Sequence, residues 1–561
     1  MKSIYIYPTT CTSKFKHSCK LQPSSKTYFL FLTFIFCFLN SFCQTGPAIQ
    51  WQKCYGGTDL ESALSIQQTN DRGYIIAGAA SSNDGDVSGH HGGQYDGWVV
   101  KTDSIGNLQW QKCLGGSAED GILRVCLTAD GGYVFAGYTS SNDGDVAGNH
   151  GSFDFWFVKT DSAGNIQWQK CLGGTNSEWT ESFLQTSDGG YIAAGRSFSN
   201  DGDVSGNHGA ADYWVVKTDS SANIQWQKCF GGTGVDIAYS IQHTSNNGYA
   251  IIGRSNSVNG DVTGNHGSYD YWLVKTDSIG NLQWQKSFGG TDEDRAATLL
   301  VTSGKEYIFG GYSLSNDSDV SGNHGFEDAW IVKTDSTGNA QWSKCYGGTG
   351  SDRVFSIIGT SDKNYLITGH TSSNDGDVSG NHSFMPDYWV FKTDSSGNIL
   401  WQKCLGGFWE EVCWSIQQTV DSGFVLAGYA SSNDGDVSGN HDTTGGGTTD
   451  FWIVKLGPDT TTSITQLPQL PNYPITISPN PLTTQSKLTF NNPNKEKFLF
   501  TLYDITGRIT ESVSTTTNEI ILTKDGKQPG VYLFNLVNEK TGERWNPDGR
   551  SGQVEKIVVS D

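Results

Sequence analysis

Methionine is nearly absent from this chain (2 of 561 residues), and basic residues are outnumbered, 37 against 58 acidic. A formal net charge of −21 excludes a nucleic-acid binder, because phosphate backbones select clusters of Lys and Arg. Long apolar runs are also missing. The best of them, Tyr28–Leu39 ("YFLFLTFIFCFL"), is too short to span a bilayer comfortably. It follows Lys2, Lys14, Lys16, Lys20 and Lys26 and precedes Ser41-Phe42-Cys43, so residues 1–43 read as a secretory signal cut before Gln44. The alternative reading is a lipoprotein signal acylated on Cys43. No disulfide framework is evident among the 12 cysteines. Cys11, Cys19, Cys37 and Cys43 would leave with the signal. Cys54, Cys113, Cys171, Cys229, Cys345 and Cys404 share one repeated position, "WQKC", where another copy has Ser287. Equivalent positions in repeated units lie farther apart than the ~7 Å a disulfide allows. They are expected as small buried side chains. Cys126 and Cys413 have no evident partner.

What the chain has in abundance is glycine (70 residues) and large aromatics, with 18 tryptophans and 23 tyrosines. Such a mixture, without a helical period, predicts many short strands and tight turns. Trp51, Trp110, Trp168, Trp226, Trp284, Trp342 and Trp401 open successive copies, spaced by 59, 58, 58, 58, 58 and 59 residues. A period of this length is that of propellers or arrays. Within the copy starting at Trp168, "SFLQT", "YIAAGRS", "DYWVVKT" and "IQWQKC" read as strands. "SDGG" and "DSSAN" between them are hairpin turns, since Gly and Asn tolerate positive φ. Apolar residues on both sides of the strands fit sheets sandwiched between neighbours.

Four strands per copy and seven copies predict an all-β chain built as a seven-bladed β-propeller over residues 44–457. A β-solenoid is the alternative. The last copy ends at "DFWIVKLGPD" without a fourth strand, and "AIQWQKC" (Ala48–Cys54) supplies the missing piece. The N-terminal strand is therefore expected to close the ring on the last blade and remove an exposed edge. The stretch Gly73–Trp110 resembles a kelch repeat, with one glycine where kelch units have two and a longer middle loop. That resemblance implies a propeller and carries over no catalytic residue.

One decapeptide, "SNDGDVSGNH" at Ser432–His441, recurs in every copy. Asp143, Asp145 and Asp154 follow calcium-loop spacing, as do Asp201, Asp203, Ser205 and Asp212, and Asp317, Asp319, Ser321 and Asp328. The last copy offers Asp434, Asp436, Ser438 and Asp442. Calcium is one expectation. Self-capping turns, in which Asp and Asn bond their own backbone, are the other. The decapeptide histidines, one per copy, are expected to orient the loop. Most tryptophans read as core between blades. Trp179 and Trp409, in the connections between blades, are candidates for stacking on a sugar.

Beyond a Thr- and Pro-rich linker (458–472) lies a non-repeating segment. "ITISPNP" (Ile475–Pro481), "LYDITGR" (Leu502–Arg508), "PGVYLFNL" (Pro529–Leu536) and a terminal "VEKIVV" make residues 473–561 similar to the type A sorting domain of the Bacteroidetes type IX secretion system. The resemblance implies a small β-sandwich, passage through that machinery, and removal by a sortase, leaving the cargo secreted or on the outer-membrane surface. No nucleophile constellation, phosphate loop or metalloprotease motif stands out. The leading expectation is a binding protein that engages an extracellular polysaccharide or protein through repeated acidic loops. A hydrolase or lyase of extracellular glycans, and a structural adhesion or surface part, are the alternatives.

Overall fold

The computed structural model describes residues 46–442 and 447–459, then 476–478, 482–490, 492, 495–504, 508–538 and 555–559. The expected signal and nearly all of the linker lie outside these. Every regular element among the described residues is a β-strand, and no helix there is long and apolar enough to cross a membrane.

The copies fold alike, as four-stranded antiparallel sheets resembling propeller blades. In the copy that begins at Trp168, Glu178–Gln185, Tyr191–Ser197, Asp212–Thr218 and Ile224–Phe230 pair in chain order. The turn chemistry accounts for each reversal. Gly189 takes φ +81°, and Asp188 Oδ1 accepts from Gly190 N at 3.1 Å. In the second hairpin Asp219 Oδ1 accepts from Ser221 N and Asn223 N, both at 2.9 Å. The third strand is buried along its whole length, as the two-sided apolar pattern requires.

Each first strand carries one extra residue against the second. In this copy it is Glu181, between Thr180 and Ser182. Opposite it a glycine lets the two backbones approach: a Cβ on Gly195 would sit 1.8 Å from the Trp179 carbonyl oxygen. The other copies repeat the arrangement at Gly78, Gly137, Gly253, Gly311, Gly369 and Gly428.

The apolar cores lie between sheets. One cluster joins Phe155, Phe157 and Leu172 of one copy to Phe183, Tyr191, Trp214 and Val216 of the next. Its centre is Trp214 against Phe155, with ring centroids 4.5 Å apart. Trp272 on Tyr213, Trp330 on Tyr271 and Trp452 on Tyr388 repeat it at 4.5–4.7 Å. The first sheet meets the last in the same way, through Trp98 on Phe451 at 4.4 Å. Ile49–Tyr55 pairs antiparallel with Asp450–Leu456, with Lys53 opposite Ile453 and Cys54 opposite Trp452. The repeated cysteines are free and mostly buried. The lysines of six of the third strands, Lys101 for example, reach back to a hairpin acid, with Nζ 2.9 Å from Asp71 Oδ2.

The C-terminal unit has two sheets. Thr476–Ser478, Gln485–Thr489 and Glu519–Thr523 form one; Ile509–Thr515, Phe498–Tyr503, Gly530–Asn538 and Glu555–Val559 form the other. Leu488 and Leu522 from the first share a core with Phe500, Phe534 and Leu536 from the second.

Replacing Gly195 by Ala should cost about 3 kcal/mol or more, because both colliding atoms are backbone. Gly189→Ala meets nothing within 4 Å and should cost only the roughly 1–2 kcal/mol of a left-handed residue. Denaturant midpoints of the two variants check the order.

Candidate functional site

The decapeptides turn their acids inward, onto the junctions between sheets. Asp201 accepts from Thr175 N through Oδ1 and from Thr175 Oγ1 through Oδ2, both at 2.8 Å. Asp143 does the same with Ser117, Asp317 with Thr291, and Asp434 takes Phe408 N. The second acid ties down the glycine ahead of that connection. Asp203 N donates to the Gly173 carbonyl at 2.9 Å, and its Oδ2 accepts from Gly173 N at 3.3 Å. Asp145, Asp319 and Asp436 hold Gly115, Gly289 and Gly406 through the same backbone bond. Their Oδ2 atoms also lie 3.8–3.9 Å from Nε2 of His91, His266 and His382 of the preceding copy. Between the last copy and the first, His441 Nε2 faces Asp86 at 3.8 Å. Ser205 and Ser438 are held by the Gln227 and Gln52 side chains of the neighbouring strand, and Ser321 lines an outer cleft beside His324.

The third acid of the pattern is no loop residue. Asp154, Asp212 and Asp328 begin or immediately precede the third strands and are wholly buried. Each meets the decapeptide histidine through Oδ2, at 2.5–2.6 Å from Nδ1. In the last copy this role belongs to Asp450, 2.6 Å from His441 Nδ1. Asp442 instead accepts from Gly447 N at 2.8 Å within its own loop. The three carboxylates of each loop therefore have three separate partners, and the donor set does not fit one shared calcium ion. Among the described residues no group of three or more His, Cys, Asp or Glu is arranged to hold a metal.

Beside each buried aspartate stands a second buried acid from the following copy. A Cβ on Gly173 would lie 2.5 Å from Asp154 Oδ1 and 2.7 Å from Glu178 Oε2. Gly56, between Asp450 and Glu61, repeats this at 2.4 and 2.7 Å. Burial pushes Asp154, Asp212 and Asp294 up to about 6 and Glu411 to about 7. The neighbouring acid raises them further, and the hydrogen bonds each accepts pull the other way. These pairs are sealed from solvent and are not placed to act on a substrate.

The copies differ where the first and second strands pair. Of the six arginines between residues 46 and 459, five lie on those strands: Arg124, Arg196, Arg254, Arg295 and Arg353. Three are paired with carboxylates. Arg353 grips Glu327 with two bonds, of 2.6 and 2.8 Å; Arg254 Nη1 donates to Glu293 at 2.7 Å; Arg196 meets Glu181 at 3.3 Å. Four lie over aromatic rings: Arg196 on Trp179 (5.0 Å), Arg254 on Tyr269 (4.4 Å), Arg295 on Tyr239 and Arg353 on Tyr312 (both 4.5 Å). The groups act on one another across copies, since the Glu181 charge feels Arg124, Arg196, Arg254 and Arg295 together. His370 stands beside Arg353, and burial with that charge holds its imidazole down at about 3.

Trp179 belongs to this cluster. It is the second residue of a strand, half-buried, with its ring 4.3 Å from Tyr138 and 4.7 Å from Phe153. Trp409 stays in a connection, beside exposed Phe408 at 5.2 Å, and Phe384, 72% exposed, lies 6.4 Å from Phe408. No motif marks the arginines in the sequence. The available signal was their departure from the repeat consensus at matching positions.

Comparison with known proteins adds little beyond the class of fold, a chain of repeated four-stranded β-propeller-like blades. No family model matches the chain. The regulatory protein FlaEY of Caulobacter vibrioides is 31% identical over 206 residues, which is 34% of this chain and only 22% of that protein. Among solved structures, PorZ of Porphyromonas gingivalis, a surface component of the type IX secretion system, has TM-score 0.39 and 11% identity. It covers 90% of this chain and 60% of its own. The WD40 domain of Neurospora crassa Pan2 has TM-score 0.40 and 9% identity, covering 73% of this chain and 97% of its own.

The buried acids fix a pH dependence. Their folded-state values stand above the ordinary carboxylate value, so the stability they contribute in acid is lost as pH rises through about 6 to 7. Raised His324, His382 and His441 act in the same direction. Hairpin acids held down at about 2, Asp130 and Asp188, lose their contribution only in stronger acid. The melting temperature should therefore be higher at about pH 5 than at about pH 8, and Glu411→Gln should narrow the gap. A melting temperature that climbs from pH 5 to pH 8 would contradict the assignment.

Proposed function

We propose that the chain is a secreted or cell-surface binding protein whose sheets close into a seven-bladed β-propeller. The first strand of every sheet then lines a central channel, and Ile49–Tyr55 is the outer strand of the last blade. This reading is supported by the pairing of that strand and by the contact of Trp98 with Phe451. The observation that carries the binding function is the contrast between positions. Loop acids and buried tryptophans repeat almost unchanged, whereas first-strand residues such as Trp179, Tyr239, Arg295, Arg353 and Trp414 differ from copy to copy. Repetition serves the scaffold, and variation marks the place where one particular ligand is met. An extracellular polysaccharide or protein is the expected partner, received where the blades differ and not by seven equivalent acidic loops.

Export through the type IX secretion system rests on the resemblance of residues 473–561 to its sorting domain. The machinery and its sortase are the partners that follow from it.

Two experiments check the proposal. A screen of the secreted protein on immobilised extracellular polysaccharides and proteins should find a ligand whose binding falls at least tenfold in Trp179→Ala. It should be unchanged in Asn207→Ala, a decapeptide change. Equal, partial losses from decapeptide changes in every copy would instead favour seven equivalent sites. Separately, deleting residues 473–561 should abolish appearance of the protein outside the cell; unchanged export would remove the sorting assignment.

A further inference from the structure

Among the described residues, two guanidinium groups of the arginine cluster have no carboxylate partner, Arg124 and Arg295. Arg295 lies on the face of Tyr239, 4.5 Å from the ring centre. It makes no hydrogen bond or ion pair among the described residues, and it is partly buried. Its neighbours are occupied: Arg353 by Glu327, Arg196 by Glu181, Arg254 by Glu293, which also accepts from Tyr312 OH at 3.0 Å. Even there a donor is spare, because Arg254 Nε is buried without a partner. Arg124 donates only to the Leu123 carbonyl, at 2.8 Å. The carboxylates in or beside the cluster are Glu181, Glu293, Glu327 and, next to Tyr138, Glu119. Two of the five guanidinium groups thus have no carboxylate partner among the described residues, in a chain whose formal net charge is −21.

A buried cation without a counter-charge is costly, and a guanidinium flattened on a ring presents its N–H edge. That edge matches the two oxygens of a carboxylate, which it can hold with parallel bonds. Glu327 against Arg353 already shows this two-bond contact within the cluster, at 2.6 and 2.8 Å.

Resting on the ring reading above, we propose that Arg295, with Tyr239 beneath it and Arg254 beside it, is the binding site for a carboxylate group of the ligand. Arg295 meets the carboxylate, Tyr239 fixes the plane of the guanidinium, and the unpaired charge of Arg295 draws the ligand in.

The test uses the full secreted chain and citrate as probe, with sulfate and glycerol alongside, by calorimetry at low salt. Citrate should bind saturably, more tightly than sulfate, with no response to glycerol. Arg295→Ala should weaken citrate at least tenfold, Arg295→Lys less, and Lys112→Ala, on an exposed outer strand, not at all. Arg295→Ala should melt within a few degrees of the parent, because no ion pair is lost. A glutamate hexapeptide or a galacturonate hexamer should displace citrate, and the better competitor identifies the source of the carboxylate. No citrate binding, binding that survives Arg295→Ala, sulfate equal to citrate, or displacement by neither oligomer overturns the site. Protection of Ile49–Tyr55 from hydrogen exchange reads ring closure independently, so a closed ring without citrate binding refutes the carboxylate site alone.

Discussion

Each junction between sheets depends on a pair of glycines. At Gly173-Gly174 the chain passes between two buried acids with no room for a Cβ, and both glycines are held by the copy that follows. Gly173 bonds to Asp203 through its carbonyl, and Gly174 donates to Glu178 at 2.7 Å. Asp201 then secures the next residue. A bare glycine backbone exposes amides and carbonyls that must be satisfied when buried, and the decapeptide supplies the partners. The repetition of "SNDGDVSGNH" follows from the repetition of junctions. Its histidine adds a contact in the other direction, with Nε2 3.8–3.9 Å from the acid of the next copy.

A scaffold fastened in this way leaves other positions free to vary. The tryptophans of the third strands are buried, and their indole N–H groups are mostly held by glutamines, as Trp214 is by Gln227 at 3.0 Å. First-strand residues beside the bulge carry no such duty. They range from Ala297 to Glu181, Tyr239 and Trp414. Arginine concentrates on these and the adjoining second strands although the rest of the molecule is acidic, and stacking on tyrosine and tryptophan keeps the guanidinium groups flat and oriented. The repeated parts maintain shape, and the unrepeated parts carry chemical identity.

Much of this was legible in the sequence. The tryptophan spacing gave the copies, and Asp-Gly-Gly and Asp-Ser-x-x-Asn gave the hairpins. The absence of a fourth strand after "DFWIVKL" pointed to the pairing that Ile49–Tyr55 makes. The loop acids were harder. Their spacing matches a calcium loop because Asp154 follows the decapeptide at a fixed distance, yet that residue belongs to the next strand. The longer loop of the last copy moves the equivalent acid to Asp450, and Asp442, nearer in sequence, caps the loop instead. Partners of Asp143 and Asp201 lie 26 residues upstream, beyond what local spacing reveals. The arginine cluster was out of reach for a related reason. Its members come from five copies, and the packing of neighbouring first and second strands brings them together.

The central claim is that the N-terminal strand is an integral part of the last blade, held by the same pairing as every other outer strand. Amide hydrogen exchange across Ile49–Tyr55 tests it most directly. If the ring is closed, these amides exchange within about tenfold of those in Ile224–Phe230, an outer strand of an interior sheet. If they exchange at the rate of an unpaired segment while Ile224–Phe230 stays protected, the ring is open and the account fails.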